Sequence, residues 1–122
     1  MPIVDIEPVG ANTEEVAAAR TQALADALGA ALGSAPGQTW VRMRPLPHAA
    51  YAENGAALLP DALPVFVTIR KAHPPSGAAL EREVRSVTEA VARSLGRPAT
   101  LVHVEYAPPA AGRQAFGGVL VE

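Results

Sequence analysis

The chain consists of two halves that carry the same order of sequence features, and this internal duplication limits the folds it can adopt. Corresponding residues recur at one common offset: Pro2 and Pro64, Gly55 and Gly117, Leu58 and Leu120. Each half predicts a strand, a helix, a second strand and a trailing short strand. Because 122 residues are one domain's worth of chain, we expect a single domain, residues 1–122, made of pseudo-repeats 2–61 and 62–122.

Hydrophobic periodicity predicts the elements of each half. In the first half, a strand over 1–6 precedes a helix with Asn12 as its N-cap, Glu15 completing a capping box, and Gly33 after its end. A second strand covers 40–44. In the second half, a strand over 64–69 is followed by a helix from Ser76 to Gly96, a strand over 101–106 and a last short strand over 119–121.

Strands that are joined through a helix must run parallel, with a right-handed crossover. Two such units predict an α+β fold in which duplicated β-α-β units form a four-stranded mixed sheet, with two helices on one face and short terminal strands. Alternation places a mixed set of side chains on the other face: Trp40, Arg42, Arg44, His103 and Glu105. We expect association between copies of the chain to cover that face.

Composition excludes several classes of function. The net charge is −2, whereas nucleic-acid and membrane-surface binders need a basic excess. The chain has no cysteine, no apolar run of about 20 residues and no signal-peptide pattern at its start, so we expect a cytoplasmic protein. His103 and Glu105 alternate on one strand without a third ligand, which favours a buried hydrogen-bonded pair over a metal site. We expect no metal and no cofactor.

Four features together resemble the tautomerase superfamily, which includes 4-oxalocrotonate tautomerase (4-OT) and macrophage migration inhibitory factor. They are the opening strand Pro2-Ile3-Val4, the strand–helix–strand plan of both halves, Ser94-Leu95-x-x-Pro98 at the end of the second helix, and Phe116-Gly117-Gly118 before the last strand. The resemblance covers nearly the whole chain. It implies a fused, two-unit member that assembles as a homotrimer.

The resemblance also implies an active site. Pro2 matches the family's catalytic N-terminal proline: when the initiator Met1 is removed, its ring nitrogen becomes a secondary amine that can act as a general base. Arg42 matches an arginine that binds the substrate carboxylate. The loop that holds the other family arginine reads Gly10-Ala11-Asn12 here, so Arg70, Lys71 or Arg113 would have to replace it. Trp40, Tyr106 and Phe116 are candidates for the wall of an apolar pocket, although ordinary core or interface packing is the favoured role for each.

The sequence leaves several interpretations open. Arg42 has a structural alternative, an ion pair between subunits with Asp5, Glu7 or Glu105. The favoured function is an isomerase that tautomerises a small enol or 2-oxo acid. The alternatives are a non-catalytic trimeric binding or scaffold protein, and a hydratase or dehalogenase variant in which Glu105 or His103 activates water. A ferredoxin-like module without this chemistry is a further alternative.

Overall fold

The structure is a computed structural model that describes residues 1–18 and 20–122, without the side chains of Thr13 and Ala18. Its strands and helices are, in chain order, β1 (Ile3–Pro8), α1 (Thr13–Ala18), α2 (Thr21–Ala31), β2 (Trp40–Met43), β3 (Val65–Arg70), α3 (Gly77–Leu95), β4 (Val102–Tyr106), β5 (Ala115–Phe116) and β6 (Val119–Leu120). Short 3₁₀ turns lie at His48–Ala50 and Ala99–Leu101.

The main sheet has the strand order β2-β1-β3-β4. β1 runs parallel to β2, and β3 runs parallel to β4, because each pair is joined through helical segments. The two units meet where β1 pairs antiparallel with β3. The predicted α+β fold with a four-stranded mixed sheet is therefore confirmed.

One hydrophobic core lies between the sheet and the helices, and both halves contribute to it. Alternate residues of β1 and β3 point into it, as the period of two predicts, and the rows of leucine and valine on α2 and α3 pack against them. The fully buried members are Val4, Ile6, Leu24, Leu28, Val65, Val67, Ile69, Val87 and Val91. Each stabilises the fold by about 1.5–3 kcal/mol through removal of its side chain from water.

The pairing directions bring four strand ends to the same end of the sheet. β1 and β2 begin there, while β3 and β4 finish there. In the register, Ile3 lies opposite both Trp40 and Arg70, and Ile69 lies opposite Tyr106. The N-terminal segment around Pro2 therefore lies at the same end of the sheet as the start of β2 and the ends of β3 and β4.

The first helix is interrupted, which corrects the prediction of one helix between Asn12 and Gly33. The described chain has a left-handed residue, Arg20, with φ 51° between α1 and α2; the predicted helix also passes through Ala19, which lies outside the described residues. The Asn12 side chain does cap α1, accepting a hydrogen bond from the Glu15 N–H at 2.8 Å. The Glu15 carboxylate, however, does not complete the capping box but binds Arg97.

Arg97 binds the first of the two helical segments to the rest of the chain. Its guanidinium binds Glu15 at 2.8 Å and the Val9 carbonyl at 2.8 Å, which fastens α1 to the chain beyond β1. α2 is positioned separately, because its Leu24 and Leu28 side chains are buried in the core.

The duplication is also incomplete at the end of the first half. The second half ends in a β5–β6 hairpin, so Ala115–Phe116 forms a strand that the sequence did not predict. The predicted counterpart around Leu58 forms no strand, and Leu59 is exposed. The segment between β2 and β3 lacks several backbone N–H donors because it contains Pro45, Pro47 and Pro60. Among its described residues, the only β-type pairing is the isolated bridge between Val9 and Leu46.

Candidate active site

Pro2 lies at the buried start of β1. Its side chain is buried, and its carbonyl accepts a hydrogen bond from the Trp40 N–H at 3.0 Å, which extends the β1–β2 pairing by one residue. With Met1 attached, the Pro2 nitrogen is an amide and has no basic lone pair. Removal of Met1 turns the same nitrogen into an amine at the end of the sheet.

Trp40 and Phe116 form an aromatic pair beside this position. Their rings are nearly perpendicular, with centroids 4.9 Å apart. The Trp40 indole N–H donates to the Gly37 carbonyl at 3.1 Å, which fixes the ring in place. The contact brings the C-terminal hairpin against the start of β2. Trp40 is 45% exposed, so one side of this aromatic surface stays open.

Arg42 and Arg70 converge on one carboxylate, that of Asp5. Arg42 binds it in a bidentate manner, through Nε at 2.6 Å and Nη2 at 2.9 Å, and Arg70 Nη1 donates to Oδ2. The register accounts for this arrangement. Asp5 lies opposite Arg42 on β2 and opposite Thr68 on β3, and Arg70 lies two positions beyond Thr68, opposite Ile3, on the same face of the sheet. The structural alternative for Arg42 is thus realised with Asp5, within the chain rather than between subunits.

Asp5 stays ionised in this arrangement. The hydrogen bond from Arg42 holds the pKa of the Asp5 carboxyl below its ordinary value, with a further contribution from Arg70 and against burial, which raises it. Two guanidinium groups and one carboxylate leave a net single positive charge on the open face of the sheet. This group of three side chains, Asp5, Arg42 and Arg70, is called the Asp5–arginine cluster below.

Tyr106 lies on the other face of the sheet, among core residues. Its hydroxyl donates a hydrogen bond to Glu83 of α3, and the Lys71 ammonium binds the second oxygen of the same carboxylate at 2.7 Å. Burial, reinforced by the hydrogen bond to Glu83, raises the pKa of Tyr106 well above its ordinary value. The structure therefore does not bring Tyr106 or Lys71 to Arg42 and Arg70.

The sequence did not fully predict the roles of two residues, Asp5 in the Asp5–arginine cluster and Glu83 beside Tyr106. Glu83 lies among other charged residues of α3 and gives no pattern of its own. Asp5 alternates with the buried Val4 and Ile6, which places it on the open face, but its shared role between two arginines depends on strand register. Arg113, a further candidate for the missing loop arginine, is exposed in the turn before β5.

His103 and Glu105 do not form the buried pair that the sequence predicted. Both are exposed on the open face of the sheet, where the His103 ring lies 5.7 Å from the Phe66 ring. They line a shallow cavity of about 350 Å³ together with Glu7 and Thr68. Across the described ranges, 1–18 and 20–122, no group of three or more His, Asp or Glu side chains could hold a metal ion.

The open face is extended by the loop between β2 and β3. Tyr51 packs on Phe66 with ring centroids 5.6 Å apart, and its hydroxyl donates to Glu53 at 2.6 Å. Charged and aromatic side chains thus run across the whole face, from Arg42 to Glu105. In the part of the chain that the structure describes, no helix is long and apolar enough to cross a bilayer.

Solved structures share this architecture over almost the full chain. The protein Pt0534, inactivated by 2-oxo-3-pentynoate, superimposes with a TM-score of 0.76 at 17% identity, covering 97% of this chain and 94% of its own. The F6 fused 4-OT wild-type asymmetric trimer gives a TM-score of 0.74 at 19% identity, with coverage of 97% and 94%. Macrophage migration inhibitory factor from Toxoplasma gondii gives 0.69 at 17% identity, with coverage of 97% and 98%.

The sequence itself matches no family model and no curated protein. The likeness therefore rests on the three-dimensional arrangement, and at these identities it concerns the fold. Its extent over both halves excludes a chance match of one β-α-β unit, and it separates this chain from a ferredoxin-like module. The resemblance to the tautomerase superfamily that the sequence indicates is confirmed at the level of the fold: this chain has the fold of the fused 4-OT and macrophage migration inhibitory factor structures.

Proposed function

We propose that the chain is an isomerase of the tautomerase type that uses the amine of Pro2, after removal of Met1, on a small enol or 2-oxo acid. The observation that carries the proposal is the position of Pro2: its side chain is buried at the sheet end where Trp40 and Arg70 lie opposite the next residue, Ile3. Burial disfavours the charged form of an amine, so a base at this place has a pKa suited to proton transfer near neutral pH.

The chemistry requires one group to move a proton between two atoms of the substrate. The Pro2 nitrogen takes the hydroxyl proton of the enol, the oxygen forms the carbonyl, and the carbon at the other end of the double bond receives the proton back from the pyrrolidinium. A cation beside the site stabilises the negative charge that develops on oxygen. Arg42 and Arg70 supply that charge and suit a carboxylate, because a guanidinium binds it through a planar pair of donors.

The proposal includes assembly as a homotrimer. The open face carries half-exposed arginines and the aromatic groups of Trp40 and Phe66, a mixture that association would cover. The fused 4-OT structures with this fold are trimers. In such an assembly the Asp5–arginine cluster of one copy would face the neighbouring copy, so a substrate site would be completed at a subunit boundary.

The test is ketonisation of enolic phenylpyruvate and of 2-hydroxymuconate by the protein with Met1 removed, as confirmed by intact mass, compared with Pro2→Ala. We expect measurable activity in the wild type and a loss of about a hundredfold or more in the variant, the scale of a lost general base. Equal rates in both proteins would contradict the proposal.

A non-catalytic trimeric binding protein remains the second candidate, and one observation favours it. Both arginines that would hold a substrate are already bound to Asp5, and the loop Gly10-Ala11-Asn12 offers no further cation. For this candidate, the processed protein would bind a carboxylate ligand with Pro2 free and catalyse no ketonisation.

A further inference from the structure

Asp5 is held more deeply than the two arginines that it joins. Its side chain is 19% exposed, whereas those of Arg42 and Arg70 are 51% and 42% exposed. The carboxylate is therefore less accessible to solvent than the two guanidinium groups, which it links through hydrogen bonds to both. An incoming anion meets the arginines, not Asp5.

Arg42 and Arg70 both have N–H donors that Asp5 does not use. Each guanidinium has five N–H donors. Asp5 takes two from Arg42 and one from Arg70, and within 1–18 and 20–122 the structure gives these guanidinium groups no other acceptor. Remaining donors on both residues are thus available to one further carboxylate.

The charge balance sets how much anion the cluster can compensate. Two guanidinium groups and the ionised Asp5 sum to one positive charge. One carboxylate neutralises the cluster, whereas a second carboxylate on the same molecule would remain uncompensated, because Gly10-Ala11-Asn12 supplies no cation.

We propose that Asp5 determines substrate class: it occupies the place of a second substrate carboxylate, so the cluster selects a 2-oxo or enol acid that carries a single carboxylate. This inference rests on the proposed function, since it concerns the same site. Asp5 acts through Arg42 and Arg70 and is a positioning residue. It contributes no proton to the reaction.

The test compares binding of sorbate and muconate, which share a diene chain and differ by one carboxylate, so the difference isolates one charge. Calorimetric titrations use the Met1-processed protein, Asp5→Asn and Glu7→Gln. Glu7→Gln is the matched control, because it removes one negative charge from the same strand and the same face without touching the arginines. Circular dichroism checks that each variant is folded.

We expect the wild type to bind sorbate more tightly than muconate. Asp5→Asn should shift the ratio of the two dissociation constants toward muconate by roughly twofold to fivefold, the scale of one charge–charge interaction at a solvent-accessible site, and Glu7→Gln should leave the ratio unchanged. A wild type that prefers muconate overturns the inference without any variant. An equal shift in Glu7→Gln overturns it too, because it would show an effect of net charge alone.

The ketonisation assay on the wild type and Pro2→Ala, run beside these titrations, separates this inference from the proposed function. Selective binding that responds to Asp5→Asn, together with no ketonisation by the wild type, supports the role of Asp5 and contradicts the isomerase. Ketonisation that depends on Pro2, with a binding ratio that Asp5→Asn leaves unchanged, does the reverse.

Discussion

The rings of Trp40 and Phe116 meet at an interplanar angle of 85°, with their centroids 4.9 Å apart. This contact links the C-terminal hairpin to β2, and it lies at the sheet end where Pro2 immediately precedes β1. The aromatic pair therefore holds the C-terminal hairpin against the start of β2, next to the candidate base, while hydrogen bonds from Ala110 and Ala111 to the chain after β3 hold its other side.

Phe116→Ala should release the hairpin from Trp40. We expect the free energy of unfolding to fall by about 0.5–1.5 kcal/mol because the ring pair is lost, in addition to the effect of the lost burial. We also expect the fluorescence of Trp40, the only tryptophan of the chain, to shift to longer wavelength and to become weaker. Tryptophan fluorescence and urea unfolding measure both effects. Val119→Ala, at an exposed position of the same hairpin, is the control, and an identical spectral shift there would contradict the role of the ring pair.

Arg97 should be among the most stabilising charged residues of the chain. Its side chain is 12% exposed and binds Glu15 at 2.8 Å and the carbonyls of Val9, Leu63 and Pro64 at 2.8–3.2 Å. Arg97→Met leaves buried acceptors and a carboxylate without their partner, so we expect a loss of about 2–4 kcal/mol in the free energy of unfolding.

Urea denaturation measures this loss, with two comparisons. Arg85→Met, on the exposed surface of α3, should change the free energy of unfolding by less than about 0.5 kcal/mol. Arg97→Lys should fall between the wild type and Arg97→Met, because an ammonium keeps the charge but cannot reach several acceptors at once. An Arg97→Met protein as stable as the Arg85→Met control would show that this network does not fasten α1.

Tyr106 should resist ionisation. Burial and the Glu83 hydrogen bond raise its pKa, and Lys71 is the cation that shares the Glu83 carboxylate. In a Tyr51→Phe background, where Tyr106 is the remaining tyrosine, we expect no tyrosinate absorbance at about pH 10, the ordinary midpoint. Adding Glu83→Gln should move the midpoint part of the way back, because burial remains.

The sign of the stability effect follows from the raised pKa of Tyr106. The unfolded chain loses the tyrosine proton at about pH 10, before the folded protein does. The contribution of Tyr106 is therefore complete below that pH and is lost as the pH rises through the folded pKa. Chemical denaturation gives the free energy of unfolding at pH 8 and at a pH above about 10. This free energy should fall more between the two conditions for the wild type than for Tyr106→Phe, and equal falls would contradict the assignment.

The core and the sheet were predictable because they depend on local periodicity. Val4 and Ile6 alternate with polar residues, and Leu24, Leu28 and Val87 repeat at helical spacing, so burial followed directly from the pattern. The break at Arg20 did not, because it accompanies the contact between Glu15 and Arg97, which are far apart in sequence.

The candidate site was predictable only in part, for a related reason. The alternation of side chains along β2 is enough to predict that Arg42 lies on the open face. Predicting its pairing with Asp5 also requires the parallel register of β1 and β2. That register depends on how the helical segments pack. Tyr106 shows the opposite case: alternation with Val102 and Val104 places it on the core side, whereas its aromatic ring made it a candidate for the pocket wall.

The most direct test of the proposed chemistry changes the Pro2 nitrogen and leaves its ring in place. A variant with one glycine inserted between Met1 and Pro2 keeps the side chain but makes the nitrogen an amide, even after Met1 is removed. We expect its rate of enol ketonisation to fall by about a hundredfold or more relative to the processed wild type, with an unchanged circular dichroism spectrum. A glycine-extended protein that ketonises the enol at the wild-type rate would show that the Pro2 amine is not the base.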